Sequence, residues 1–175
     1  MNCKYVMILA TMNQLPGGGH AAVNKKQIDI LNDYFLHTAL HLLTMEEQCL
    51  RRACAKDLSL RELHVLEAVS SLRGSGINTM ADIARYLRLS PASLTTAVTV
   101  LVKKGYVSRN YSPSDRRVIF VTLTETGEEA NRKYLNFVRD MIMEVCRDLD
   151  EENADNMISS ILTLSDYLES NAGGE

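Results

Sequence analysis

The chain has 175 residues, of which 46% are hydrophobic, and a net charge of −3 at pH 7. This length suffices for one domain with a sizeable core. No apolar run approaches the roughly eighteen residues of a transmembrane helix, so we expect a cytoplasmic protein without membrane contact. The four cysteines fit no zinc-ligand spacing, and we expect free thiols, no metal and no cofactor.

The first stretch of the chain ends in a linker-like run, Pro16-Gly17-Gly18-Gly19. Glycine and proline at this density are typical of connecting segments. We predict a flexible N-terminal segment over residues 1–23, unless translation begins at Met7 or Met12.

Two amphipathic helices are predicted next. Residues 24–55 repeat apolar side chains at intervals near 3.6 residues, which is the period of one helix face. Ser59 and Glu62 have the spacing of a capping box and open a helix that runs to Leu72.

A helix-turn-helix pattern follows. Thr79 caps a short helix that ends at Leu87, and a tight two-residue turn leads to the next helix. That helix has Ser90 as its N-cap, Pro91 at its first position and Gly105 after its end. Its predicted buried stripe recurs at i, i+3, i+4 and i+7: Leu94, Ala97, Val98 and Leu101.

A β-hairpin is predicted directly after this helix. Tyr106–Arg109 and Val118–Leu123 are rich in β-branched and aromatic residues and form its strands. Asn110–Asp115 has the composition of an exposed loop. Arg116 and Arg117 follow the loop, so the hairpin carries two adjacent arginines at its tip.

The last third of the chain is predicted to be helical. Thr124 caps a helix of roughly twenty-five residues, and Asp150 caps a second one that ends near Ser170. These two helices carry more apolar side chains than one small domain can bury, so we expect the helices to intertwine with a second subunit. The residues concerned are Tyr134, Leu135, Val138, Met141, Ile142, Val145, Ile158, Ile161, Leu162, Leu164 and Leu168.

Positive charge is concentrated around the predicted helix-turn-helix and hairpin. Residues 79–123 hold seven basic and two acidic side chains, whereas residues 124–175 hold four basic and thirteen acidic ones. A helix-turn-helix followed by a basic hairpin is the layout of a winged helix, which places a helix in the DNA major groove and the hairpin tip in the minor groove. The partner is therefore predicted to be double-stranded DNA.

The predicted DNA contacts come from one face of the helix and from the hairpin tip. Arg117 is expected in the minor groove and Arg116 at a phosphate. The carboxylate of Asp115 is expected to hold the Arg117 guanidinium extended in a bidentate pair. The helix contacts are Ser90, Ala92, Ser93, Thr95, Thr96, Thr99 and Lys103.

The chain resembles MarR-family transcription regulators over residues 25–170. The resemblance rests on the helix end Lys103–Val107, on the wing residues Asp115–Arg117 and on the closing run Leu123–Gly127. It implies a mainly α-helical winged helix-turn-helix with a small β-hairpin wing, assembled as an intertwined homodimer. Residues 24–175 would form the domain, with 56–123 as its DNA-binding lobe, and 24–55 and 124–170 as dimerisation helices.

A narrower resemblance is to the branch of this family that represses fatty-acid synthesis genes in Gram-positive bacteria. It rests on Met45–Glu47, Lys56–His64, Thr95-Thr96 and the wing. It implies acyl chains delivered by acyl carrier protein as the effector, and an apolar tunnel between the first and fifth helices. The lining would be Leu42, Leu43, Met45, Phe137, Met141 and Met143, with Arg51 and Arg52 contacting the acidic carrier.

Other readings of individual residues stay open. His37 and His41 lie one helical turn apart and could bind a metal, although structural or solvated histidines are favoured. Cys49 and Cys54 flank two arginines, which would suit a redox sensor, although inert thiols are favoured. The alternative within the family is a redox or small-molecule sensing repressor.

Two further classes of protein compete with a DNA-binding regulator. The sequence contains no nucleophile elbow, phosphate-binding loop, dinucleotide fingerprint or H-E-x-x-H motif, which argues against an enzyme. A dimeric interaction module that does not bind DNA would leave the basic residues 79–123 without a role.

Overall fold

The computed structural model describes residues 23–73, 78–112, 114–115 and 117–171, with the side chains of Ala53 and Cys54 excepted. The predicted N-terminal segment therefore lies outside the described residues except for Val23, and so does Arg116. The chain divides into two compact units, Met1–Leu42 and Leu43–Glu175.

The described residues form helices and one hairpin in a fixed order. In chain order they are α1 (Lys25–Cys49), a π-helical turn (Leu50–Cys54), α2 (Leu60–Leu72), α3 (Met80–Tyr86), α4 (Pro91–Lys103), β1 (Val107–Tyr111), β2 (Ile119–Leu123), α5 (Glu125–Val145) and α6 (Glu151–Asn171). The prediction of a mainly α-helical chain with a small hairpin is confirmed.

In the first unit, the start of α1 is fixed by reciprocal capping. The Asn24 side chain accepts from the Gln27 N–H at 3.0 Å, and the Gln27 side chain accepts from the Asn24 N–H at 2.9 Å. These two bonds satisfy donors that a helix start otherwise leaves without partners.

In the second unit, the predicted caps place the other helices. Ser59 and Glu62 form the capping box of α2, and the side chains of Thr79, Ser90 and Thr124 accept backbone N–H groups at the starts of α3, α4 and α5. Asp150 accepts the Asn153 N–H at 2.8 Å before α6. Local hydrogen bonding therefore decides where these helices begin.

Two predicted boundaries are wrong. The regular α-helix predicted to run to Ala55 ends at Cys49 and continues as the π-helical turn. The first strand extends past Arg109 because Asn110 pairs with Phe120, and Tyr111 with Ile119. The Asn110 amide also donates to Thr122 Oγ1 at 3.1 Å, so cross-strand pairing outweighs the turn preference of asparagine.

The core of the second unit lies between α2, α3, α4 and the hairpin. The segment before α3 adds a short third edge to the hairpin: Asn78 exchanges two hydrogen bonds with the Val121 backbone, and Thr79 forms a bridge with Phe120. The largest fully buried side chains are Leu63, Leu66, Ile83, Leu94, Leu101, Val65, Val69, Val98 and Val121. This core holds the hairpin against α4.

Among the described helices, none combines the length and apolar character needed to cross a membrane.

Candidate DNA interface and effector groove

The exposed face of α4 is set by its buried face. Leu94, Val98 and Leu101 are fully buried, as the sequence predicted. The opposite side therefore points outward, and Ser90, Ala92, Thr95, Thr96 and Lys103 are exposed, while Ser93 and Thr99 are half-buried. The structure thus places the seven predicted helix contacts on one helix and its N-cap.

The hydroxyl groups of this face are oriented by the helix itself. Thr95 Oγ1 donates to Pro91 O at 2.7 Å, and Thr96 Oγ1 donates to Ala92 O at 3.1 Å. Thr99 Oγ1 donates to Thr95 O at 2.7 Å. Because each hydroxyl hydrogen is engaged, the oxygens of Thr95 and Thr96 are left facing solvent as acceptors.

The two lysines at the end of α4 have different environments. Lys103 is exposed. Lys104 turns inward, where its Nζ donates to Glu62 Oε2 at 2.9 Å and to the Asp57 carbonyl oxygen. Only Lys103 of this pair is available to a phosphate group.

The wing turn differs from the prediction in one contact. Asp115 Oδ1 accepts the backbone N–H of Arg117 at 2.9 Å, and the Asp115 carbonyl accepts the Val118 N–H at 3.0 Å. Asp115 and Arg117 are both described, and no ion pair joins the Asp115 carboxylate to the Arg117 guanidinium as predicted. Asp115 therefore shapes the turn through the backbone, because its short side chain reaches a neighbouring N–H more easily than an extended guanidinium.

Arg109 also belongs to this surface, although it is not among the predicted DNA contacts. Its Nη2 donates to Thr99 Oγ1 at 2.8 Å and to Thr95 O at 3.2 Å, which ties β1 to α4. The available signal was the two-residue period of the strand, since Arg109 shares a face with the buried Val107.

Known proteins match this arrangement. A MarR-family model matches residues 56–118. The Bacillus subtilis HTH-type transcriptional regulator YwhA is 28% identical over 114 residues, which cover 61% of this chain and 82% of that protein. A second such regulator from B. subtilis, YhbI, is 41% identical over 59 residues, or 34% of this chain and 38% of the relative.

Solved structures extend the likeness beyond the lobe. Streptococcus pneumoniae FabT in complex with DNA is 26% identical, with a TM-score of 0.74, over 82% of this chain and 98% of that one. Staphylococcus aureus MepR bound to DNA has the same fold, with 17% identity and a TM-score of 0.64, over 83% of this chain and 96% of the other.

Residues 56–118 thus match the MarR family, and the fold is that of MarR-family winged-helix proteins. The matched family and relatives are transcription regulators, and DNA complexes are among the solved structures that share the fold.

An open groove of about 670 Å³ lies beside α5. Small-molecule sites commonly have volumes of roughly 300–1,000 Å³. Met45, Phe137 and Met141 line the groove together, as predicted for an effector site, and Val145 adds to its apolar wall. Polar groups that the sequence analysis did not select complete the lining: Lys133, Asn136, Asp140 and Glu144.

The other residues predicted to bind an effector do not line this groove. Leu43 and Met143 are 46% and 65% exposed and are not among the described residues that line the groove. Leu42 belongs to the first unit. Arg52 lines a smaller pocket together with Met45 and Phe137, whereas Arg51 forms an ion pair with Glu47 at 2.7 Å.

A buried polar cluster lies where α1, α2 and α5 meet. The Tyr134 hydroxyl donates to Glu46 Oε1 at 2.5 Å, and His64 Nε2 lies 3.6 Å from the same oxygen. Burial and the bond to Glu46 raise the pKa of Tyr134, so its hydroxyl remains a donor. No local sequence pattern predicts this cluster, because its partners are separated by up to 88 positions.

Proposed function

We propose that this regulator is a homodimeric repressor that binds a pseudo-palindromic operator. The observation that carries the proposal is the exposed hydroxyl face of α4 beside a wing that ends in Arg117. Thr96 and Thr99 would read base edges, while Ser90, Lys103 and Arg116 would contact phosphates. Arg117 would enter the minor groove, and Asp115 would shape the turn that presents it.

Exposed apolar faces support the homodimer. No residue of α6 is buried. A folded monomer would therefore present large apolar surfaces to water, which soluble proteins avoid by association. Two lobes held in this way would place their recognition helices one DNA turn apart, about 34 Å. The exposed apolar residues of α6 are Ile158, Ile161, Leu162, Leu164, Tyr167 and Leu168.

We further propose that an acyl chain carried by acyl carrier protein is the effector. Methionine side chains adapt to a flexible alkyl chain, and Met45 and Met141 both line the groove. Asp140 and Glu144 outnumber Lys133 in the groove lining, and Lys133 is paired with Glu129 at 2.9 Å. The lining would therefore repel a free fatty carboxylate but not an uncharged thioester. The likeness to the S. pneumoniae protein is consistent with control of fatty-acid synthesis genes.

Basic residues beside the groove would meet the acidic carrier. Arg52 lines the pocket that shares Met45 and Phe137 with the groove, and Arg51 is exposed on the same segment. A basic patch at the mouth of an apolar groove is complementary to an acidic protein that delivers an apolar chain.

Operator binding is tested by anisotropy with an inverted-repeat duplex at several salt concentrations. If each lobe makes three to five phosphate contacts, log K should fall against log salt with a slope of about −5 to −9. Thr96→Ala should relax base choice at one position at a cost of roughly 1–3 kcal/mol. Arg117→Ala should weaken binding more than Arg116→Ala, with Arg139→Ala on α5 as the charge-matched control. A flat salt response would refute operator binding.

The effector is tested by titrating the operator complex with long-chain acyl carrier protein, unacylated carrier, free fatty acid and peroxide. Only the acylated carrier should shift operator affinity, by linkage between groove and DNA. An effect of peroxide alone would favour the redox-sensing alternative instead. Cys49, which is 6% exposed, would then be the first thiol to replace.

A further inference from the structure

Arg109 joins the wing to the recognition helix α4 through one nitrogen. Its Nη2 donates to Thr99 Oγ1 at 2.8 Å and to Thr95 O at 3.2 Å. Thr99 Oγ1 in turn donates to the same Thr95 oxygen at 2.7 Å. The three groups close a ring of hydrogen bonds, so Arg109 holds from the wing side a Thr99 hydroxyl that already donates within α4.

The strand end of this link is held firmly by the hairpin. Arg109 occupies the middle of the five residue pairs between β1 and β2, opposite Val121. Val121 is fully buried, and its backbone also pairs with Asn78. The guanidinium therefore extends from a fixed strand position to Thr95 and Thr99 in the middle of α4.

The Nε atom of Arg109 indicates which contact determines the position of the guanidinium. Arg109 Nε is buried and has no hydrogen-bond partner among the described residues. A buried donor without a partner costs free energy and calls for an explanation. The orientation that brings Nη2 to Thr95 and Thr99 leaves Nε without an acceptor, so the contact with α4 dominates the placement of this side chain.

We infer that Arg109 is a positioning residue that determines base selection by holding Thr99 and α4 at a fixed place relative to the wing. Arg117 at the wing tip belongs to the same hairpin, so this link also sets the distance between the major-groove helix and the minor-groove arginine. The inference rests on the proposed operator binding, and it gives Arg109 a role other than neutralising a phosphate.

The test compares Arg109→Gln and Arg109→Lys with Arg139→Gln as the charge-matched control on α5. Affinity is measured for the best operator and for operators with single substitutions or one inserted base pair between the α4 and wing sites. In both Arg109 variants we expect the ratio of affinities for the best and the altered operators to fall about tenfold. One good base contact contributes roughly 5- to 150-fold to such a ratio. The salt slope of both should stay within about 0.5 of the wild-type value.

A double-mutant cycle with Thr99→Val shows whether Arg109 acts through Thr99. Removing the hydroxyl and the guanidinium together should cost little more discrimination than removing either one, because both changes break the same link. A merely structural arginine would lower the melting temperature without this coupling. Thermal unfolding of every variant is measured alongside.

Several outcomes would overturn the inference. A salt slope reduced by about 1.8 per dimer in Arg109→Gln, with unchanged discrimination, would make Arg109 a phosphate contact. Full discrimination in Arg109→Lys and Thr99→Val would refute it even if Arg109→Gln failed to fold. Wild-type protein without any operator preference would instead refute the proposed function, so the two failures are distinguishable.

Discussion

The Glu62 carboxylate joins the start of α2 to the end of α4. It accepts the Ser59 N–H at 2.6 Å and Lys104 Nζ at 2.9 Å. Burial alone would raise the pKa of Glu62, but the bonds from the Ser59 backbone and Lys104 outweigh it and lower that pKa. The ionised form is therefore favoured in the folded protein.

The lowered pKa predicts a specific acid sensitivity. Because the folded-state pKa lies below the ordinary value of 4.5, the contribution of Glu62 to stability is present above that value. It is lost as pH falls through the folded pKa. Urea unfolding from pH 6 to about pH 3 should show a shallower acid loss for Glu62→Gln than for wild type. The exposed control Glu125→Gln should follow wild type, and an identical pH profile for Glu62→Gln would contradict the assignment.

Gly127 predicts a steric limit at the start of α5. A Cβ at this position would lie 2.1 Å from the backbone oxygen of Tyr106, so the helix or the chain after α4 must shift. Overpacking of this kind costs about 1–3 kcal/mol. Gly127→Ala should lower the free energy of unfolding in urea by that amount, whereas Thr126→Ala at the exposed neighbouring position should change it little. Equal stability of the two variants would refute the clash.

At the scale of elements, the wing turn yields a prediction that separates charge from shape. Asp115 Oδ1 accepts the Arg117 N–H, a bond that an asparagine oxygen can also accept. Asp115→Asn should therefore keep operator affinity within about threefold, whereas Asp115→Ala should weaken it about tenfold by loosening the turn. Anisotropy measures both. Equal losses in the two variants would restore the charge pairing of Asp115 with the Arg117 guanidinium.

Elements whose signals are local could be predicted from the sequence. The caps at Ser59, Thr79 and Ser90 lie within three residues of the groups they bind, so helix starts were identified correctly. Strand ends depend on a partner strand, and the first strand was therefore predicted too short at Asn110.

Site residues that depend on tertiary contacts could not be predicted in this way. The bond from Tyr134 to Glu46 joins residues 88 positions apart. Arg109 reaches Thr99 only because the hairpin folds back on α4. In the groove, the apolar residues were predicted in part, while Asp140 and Glu144 were not, since nothing in their local pattern distinguishes them from other solvated acids.

At the scale of the whole molecule, the exposed apolar rows of the terminal helices predict obligate association. Phe35 on α1 and Ile161 on α6 are 52% and 51% exposed. Sedimentation velocity should show a dimer at nanomolar concentration. Ile161→Glu should weaken the dimer and, with it, operator binding, whereas Ser160→Glu on the same helix should have a smaller effect. A stable folded wild-type monomer would contradict the prediction.

The junction between α4 and α5 has a mechanical consequence. Thr124 donates its N–H to Tyr106 O at 3.0 Å and its Oγ1 to Gly105 O at 2.6 Å, directly after α4. Phe137 lies thirteen residues further along α5, about 20 Å from this clamp at 1.5 Å per residue. A rigid rod of that length moves its far end by about 1.7 Å when it pivots by about 5°. If the proposed acyl chain fills the groove, a difference of one carbon–carbon bond, about 1.5 Å, would correspond to several degrees of rotation at α4, and α5 would convert ligand length into helix rotation.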